Sequence, residues 1–170
     1  RCAVGAVRAV GSIATAVLVA ALAVVLPARA AEVEGITPTI SVSATEVEFY
    51  QDFTVTIDLA VPDSASAGDT FTVSLSENIR MLSGAVALAD KDNGETIANV
   101  TASGSSLTYT FTDYVDRHLN VSMTLTFWAE IDEVAVPDGG PSDLSVRVNG
   151  TVHRGPSLQV DPVAGPPPYG

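Results

Sequence analysis

From about residue 40 onward the chain alternates apolar and polar positions. Phe53, Val55, Ile57 and Leu59 are interleaved with Thr54, Thr56 and Asp58, and Phe71, Val73 and Leu75 with Thr72, Ser74 and Ser76. Successive side chains of a β-strand point to opposite faces, so each run predicts a strand with one buried and one solvated face. The most regular runs are Leu107, Tyr109 and Phe111 among threonines, and Val121, Met123, Leu125 and Phe127 among Ser122, Thr124 and Thr126. Shorter strands are expected at 40–42, 47–49, 86–88, 97–100, 144–148 and 158–160. No window has a helical period.

Turn signals separate these runs: Pro62-Asp63, Gly68-Asp69, Asn93-Gly94, Gly104-Ser105, Asp138-Gly139-Gly140-Pro141 and Asn149-Gly150. Asn-Gly favours the positive φ of a type I′ turn, so Asn93-Gly94 is expected to join two antiparallel strands. Many short strands with one apolar face each predict an all-β fold, an immunoglobulin-like β-sandwich. Trp128 and the Phe and Tyr side chains are expected to fill the space between its sheets.

The first thirty residues have a different pattern. Arg1 and Arg8 precede an uncharged run, 13–26, of Ala, Val, Leu and Ile broken only by Thr15, and Ala28-Arg29-Ala30 supplies a small-x-small exit. This is the order of a secretory signal peptide, with cleavage expected after Ala30. A retained membrane anchor needs about 20 apolar residues. The expected organisation is a signal peptide at 1–30, an N-terminal extension at 31–39, one immunoglobulin-like domain at 40–163 and a proline-rich linker at 164–170.

Charge and cysteine content narrow the chemistry. Eight Lys and Arg face 20 Asp and Glu, a net charge of −12. Removal of residues 1–30 takes three of the cations and the single cysteine, Cys2, leaving −15 and no thiol. So acidic a chain lacks the basic face that nucleic acid requires. It also lacks the residues of a Cys/His zinc site and the pair of cysteines needed for an internal disulfide.

Catalytic constellations are sparse. His118 and His153 each adjoin an arginine in expected loops, and there is neither a Gly-x-Ser-x-Gly elbow nor a His-Glu-x-x-His helix. Asp90, Asp92 and Glu95 around Gly94 resemble a short calcium loop, but the spacing fits a hairpin turn better. Lys91, the only lysine after the signal, lies in that polar turn, which disfavours an isopeptide crosslink. Asn99, Asn120 and Asn149 head Asn-x-Ser/Thr sequons of the kind that arise by chance in a Thr- and Ser-rich chain. The domain is therefore expected to be non-enzymatic and to need no cofactor or metal.

The most specific segment is TYTFTDYVD: Thr108, Tyr109, Thr110, Phe111, Thr112, Asp113, Tyr114, Val115 and Asp116. Its alternation puts Tyr109 and Phe111 inward and the threonines outward. At a sheet edge its free backbone groups could receive another strand; as an ordinary half-buried strand it would bind nothing.

This nonapeptide resembles the TYTFTDYVD signature of Gram-positive cell-wall-anchored adhesins of the clumping factor and serine-aspartate repeat type. Residues 68–78, GDTFTVSLSEN, resemble that family's GDxFxxxLSxN strand, and Ile131-Asp132 resembles the "ID" pair that ends a later one. The similarity runs in consistent order over roughly 40–163. It implies the variant immunoglobulin fold, in the first of two tandem ligand-binding domains. A peptide of a host matrix or plasma protein would lie between the two, and a latch strand from the second domain would pair beside residues 108–116. It also implies a secreted, cell-surface protein anchored to the wall through a region outside this chain. The alternatives are a non-binding immunoglobulin-like spacer of a stalk or pilus protein, and an accessory domain of an extracellular enzyme.

Overall fold

The computed structural model describes residues 31–82 and 86–162. The expected signal peptide and linker lie outside these residues. Eleven strands and one helical turn follow in chain order: β1 (Thr37–Val42), β2 (Glu46–Glu48), β3 (Phe53–Ala60), β4 (Thr70–Leu75), β5 (Ile79–Met81), β6 (Leu88–Ala89), β7 (Thr96–Ser103), β8 (Ser106–Phe111), α1 (Tyr114–Arg117), β9 (Ser122–Ile131), β10 (Gly140–Val148) and β11 (Thr151–Asp161). They form two sheets, a four-stranded one ordered β1-β3-β9-β5 and a seven-stranded one ordered β2-β11-β10-β4-β8-β7-β6. All pairings are antiparallel except β2 with β11. The architecture is the expected immunoglobulin-like sandwich.

The alternating apolar faces meet between the sheets. Phe53, Val55, Ile57 and Leu59 of β3 and Leu125 and Phe127 of β9 are buried opposite Phe71, Val73, Leu107, Tyr109 and Phe111 of β4 and β8. Phe71 stacks on Tyr109, ring centroids 5.0 Å apart, and lies 5.2 Å from Phe111, within the spacing that aromatic pairs favour.

Trp128 departs from the expectation. Phe127 is inward, so its neighbour must be outward, and Trp128 is 53% exposed on the outer face of the four-stranded sheet. Tyr50 is likewise outside, 50% exposed, at a positive-φ position before β3.

Local chemistry explains the connections. Asn149 (φ 51) and Gly150 (φ 80) make the two-residue turn from β10 to β11 with both φ positive, as type I′ demands. Asn93-Gly94 differs. It belongs to a six-residue connection between β6 and β7, and only Gly94 has positive φ, so the expected type I′ pair is absent there. Gly155 sits where the β10–β11 register shifts; a Cβ there would lie 2.9 Å from Ile40 Cγ2, so glycine lets β1 cross close to β11. His153 lies in β11, not in a loop.

Residues 31–36 are built into the sandwich. Val33 and Ile36 are buried, and β1 begins at Thr37, upstream of the expected domain start at residue 40. Among the described residues no helix is long and apolar enough to cross a membrane.

Candidate functional site

The TYTFTDYVD segment does not border an open seam. Its strand portion, within β8, is interior to the seven-stranded sheet. On one flank Thr110 and Tyr109 pair with Thr70 and Phe71 of β4; on the other the same two residues pair with Asn99 and Val100 of β7. Both sets of backbone groups are used, so no further strand can pair beside Thr108, Tyr109, Thr110 or Phe111. The expected latch position is corrected on that ground.

The second half of the segment leaves the sheet. Thr112 turns its hydroxyl inward, donating to the Thr96 carbonyl at 2.6 Å, and accepts from the Tyr114 N–H at 3.2 Å. Asp113, Tyr114, Val115 and Asp116 enter the single turn α1, with Tyr114 and Val115 buried. The Tyr114 hydroxyl donates to Asp90 Oδ2 at 2.6 Å. His118 stacks on the Tyr114 ring at 3.9 Å and places Nδ1 2.8 Å from the Tyr114 carbonyl. Arg117 pairs with Glu95 and, at 3.3 Å, with Asp113.

The family-like motifs hold one another. The Gly68 N–H donates to the Phe111 carbonyl and the Phe111 N–H to the Asp69 carbonyl, both at 2.9 Å. Asp116 Oδ1 accepts from the Ala67 N–H at 3.2 Å. Asn78 Nδ2 donates to Ser142 Oγ at 2.5 Å and to the Asp143 carbonyl at 3.0 Å, while the Asp132 N–H donates to the Asn78 carbonyl at 2.9 Å. Each motif ties a loop to a neighbouring strand, and this is what the residue types accomplish: short amides, hydroxyls and carboxylates satisfy backbone groups that no ladder reaches.

The Asp90–Glu95 connection is closed on itself. Asp90 Oδ1 accepts from the Asp92 N–H at 2.8 Å and Asn93 Oδ1 from the Glu95 N–H at 2.8 Å. With Asp90 also bonded to Tyr114 and Glu95 to Arg117, these carboxylates serve the turn. The Tyr114 hydroxyl, then the Asp92 N–H, hold the Asp90 carboxyl below its ordinary range, and the same contact with Asp90, aided by burial, raises Tyr114. Asn149 is likewise committed, accepting from the Thr72 N–H at 2.8 Å and donating to the Val33 carbonyl at 2.6 Å.

Unpaired backbone lies elsewhere. In an antiparallel ladder alternate residues bond to alternate sides. The odd-numbered residues of β9 bond to β3, as the neighbouring Val61 N–H to Val121 carbonyl contact shows. The even-numbered ones face the opposite edge, where Leu82 takes the Trp128 carbonyl at 2.7 Å and β5 takes Glu130. Among the described residues nothing pairs with that edge at Ser122, Thr124 or Thr126. A cleft of about 280 Å³ opens there, lined by Thr124, Leu125, Thr126 and Phe127 of β9, by residues 86–89, and by Tyr109. Tyr109 is 1% exposed, and its hydroxyl has no hydrogen-bond partner among the described residues. Burial alone pushes it up to about 12. Periodicity could assign Tyr109 to the core but could not show that it lines a gap between strands.

A two-sheet immunoglobulin-like sandwich with these loop-fastening motifs defines the class, and comparison with known proteins places the chain within it. The bacterial Ig domain family matches residues 46–140, more than half of the sequence, and the chain belongs to that family. It is homologous to serine-aspartate repeat-containing protein E of Staphylococcus aureus (strain Mu50), 30% identical over 115 residues, or 62% of this chain and 9% of that protein. Serine-aspartate repeat-containing protein D of S. aureus (strain Newman) is 32% identical over 88 residues, 46% of this chain and 7% of that protein. The chain thus spans less than a tenth of these relatives. Among solved structures, the serine-rich repeat adhesion glycoprotein Srr1 of Streptococcus agalactiae superposes with a TM-score of 0.55 at 18% identity, covering 78% of this chain and 47% of that one. The collagen adhesin of S. aureus gives 0.53 at 16% identity, covering 76% and 43%. The major pilin subunit of Bacillus cereus gives 0.51 at 14%, covering 77% and 41%. These three share the fold.

Proposed function

We propose that this domain is a cell-surface adhesion module that takes up an extended peptide of a host or extracellular matrix protein by strand addition along β9, not beside β8. The Tyr109 hydroxyl carries the reading: among the described residues it is buried without a hydrogen-bond partner, beside a cleft whose other wall is a strand edge that none of them pairs with. A buried polar group without a partner costs about 1–3 kcal/mol. An incoming backbone carbonyl would relieve that cost while Ser122, Thr124 and Thr126 supply the ladder. The homologous serine-aspartate repeat proteins, and fold relatives that include an adhesion glycoprotein, a collagen adhesin and a pilin, support display outside the cell. Secretion through residues 1–30, an adjacent second immunoglobulin-like domain and wall anchoring beyond residue 170 belong to the same proposal.

The test compares two proline substitutions. Thr124→Pro removes an N–H that faces the open edge of β9, which an edge tolerates, whereas Thr110→Pro removes a donor from an interior strand and is expected to prevent folding. On surfaces coated with collagen or plasma protein, the folded Thr124→Pro variant should dissociate at least tenfold faster than the parent. Unchanged dissociation would overturn the strand-addition reading.

A second reading, a non-binding spacer of a stalk or pilus protein, is favoured by the TYTFTDYVD bonds being internal. It predicts retention of neither chain on either surface.

A further inference from the structure

β10 does not accompany β4 along its whole length. β10 accompanies it only over Val73–Leu75 and then turns away at Asn149, which would leave Thr70 without a neighbour on that side. Residues 31–33 fill the place. The Thr70 N–H donates to the Ala31 carbonyl and the Val33 N–H to the Thr70 carbonyl, both at 2.9 Å, and Glu32 bridges Thr70 in parallel. Asn149 Nδ2 secures the Val33 carbonyl at 2.6 Å, and Val33 and Ile36 are buried. The last contact of this segment is made by its first residue: the Ala31 nitrogen donates to Asp69 Oδ1 at 3.1 Å, while Asp69 Oδ2 accepts from the Ser66 N–H at 2.9 Å.

Ala31 is also the residue that follows Ala28-Arg29-Ala30, the small-x-small exit of the apolar run. We propose that the Asp69 carboxylate is the docking site for the α-ammonium of the processed chain, created when a peptidase hydrolyses the Ala30–Ala31 bond. Water adds across the amide, leaving a carboxylate on Ala30 and an ammonium on Ala31. A neutral N–H donor is thereby replaced by a charged one at a carboxylate already in place, and charge-assisted bonds are the stronger kind. Processing then strengthens a contact that is already formed, since residues 31–33 lie beside Thr70 with the Ala31 nitrogen at Asp69. The charged and titratable groups nearby are Asp69 on the turn before β4, Asp116 bonded to the same turn, Glu32 and Glu34 on the segment itself, and His153 of β11, which lines the same surface hollow as Glu32 and Glu34.

The sign follows from linkage. An ammonium paired with a carboxylate has a raised folded-state pKa, so its contribution is complete below the unfolded value, about 7.7–8.0 for an α-amine, and is lost as pH rises through the folded value. Three measurements test the proposal. The secreted protein's N-terminus, read by mass spectrometry, should begin at Ala31. In the processed chain the Ala31 amine, followed by NMR with ¹⁵N-labelled protein, should titrate above the ordinary range, and Asp69→Asn should return it there. Acetylation of the Ala31 amine should lower Tm in the parent and cause no further loss in Asp69→Asn. Because Asp69 also holds the Ser66 N–H, acetylation of the unsubstituted protein keeps the test decisive if Asp69→Asn fails to fold. A terminus other than Ala31, an unshifted amine, or a Tm indifferent to acetylation would each overturn it.

Discussion

The phenolic oxygen of Tyr114 lies 2.6 Å from Asp90 Oδ2 and joins the helical turn after β8 to the connection between β6 and β7. The pair crosses from an interior strand's end to the sheet's short edge, so it governs whether that edge stays in register.

Its pH dependence has a definite sign. Asp90 is held below its ordinary range by Tyr114, so the pair contributes fully above the unfolded carboxylate value and is lost as pH falls through the depressed folded value. At the alkaline end the raised Tyr114 contributes fully below its unfolded value and is lost as pH rises through the folded one. Tyr114→Phe is therefore expected to lower Tm at pH 7 and to approach the parent at pH 3. Thermal unfolding of both proteins across that range checks it; a gap that does not shrink in acid would remove Asp90 from the account.

Gly139 meets two constraints at once. Its φ is +65, and a Cβ would lie 2.8 Å from both the Val160 carbonyl oxygen and Pro162 Cδ. Gly104 has φ +60 with nothing within 4 Å of such a Cβ. A left-handed non-glycine residue costs about 1–2 kcal/mol, so Gly104→Ala should lose about that much. Gly139→Ala should lose more, because backbone must move as well. Urea unfolding of the two variants compares them; equal losses would contradict the close approach.

Trp128 is the single tryptophan and stands outside the sandwich. The native protein should show red-shifted tryptophan emission that acrylamide quenches nearly as well as in urea. Blue-shifted emission shielded from acrylamide would place the ring between the sheets instead.

The strands of one-sided burial were legible because alternation reports a face directly: β3, β8 and β9 lie where Phe53, Tyr109 and Leu125 stand in runs of period two. Alternation does not report an edge. That β8 has neighbours on both sides depends on β4 and β7 returning to it from 32 and 11 residues away, as the pairs Ser74↔Ser106 and Asn99↔Thr110 close very different loops. Trp128 could have been placed correctly, since Phe127 inward dictates its neighbour outward; the general preference for burying large rings was the weaker signal. β5 and α1 are three and four residues long, too short to show a period. The candidate cleft was illegible for a related reason, as Tyr109 and Thr124 come together only once the two sheets are stacked.

Amide hydrogen exchange resolved by residue tests most directly whether β8 is closed and β9 open. In β8 successive amides alternate between β4 and β7, as the Phe111 N–H to Asp69 and Thr112 N–H to Ile97 bonds at 2.9 Å show. The account predicts slow exchange at every amide from Leu107 to Phe111, with Met123 and Leu125 slow and Thr124 fast in β9. Fast exchange at alternate amides of β8, with Thr124 protected, would contradict it.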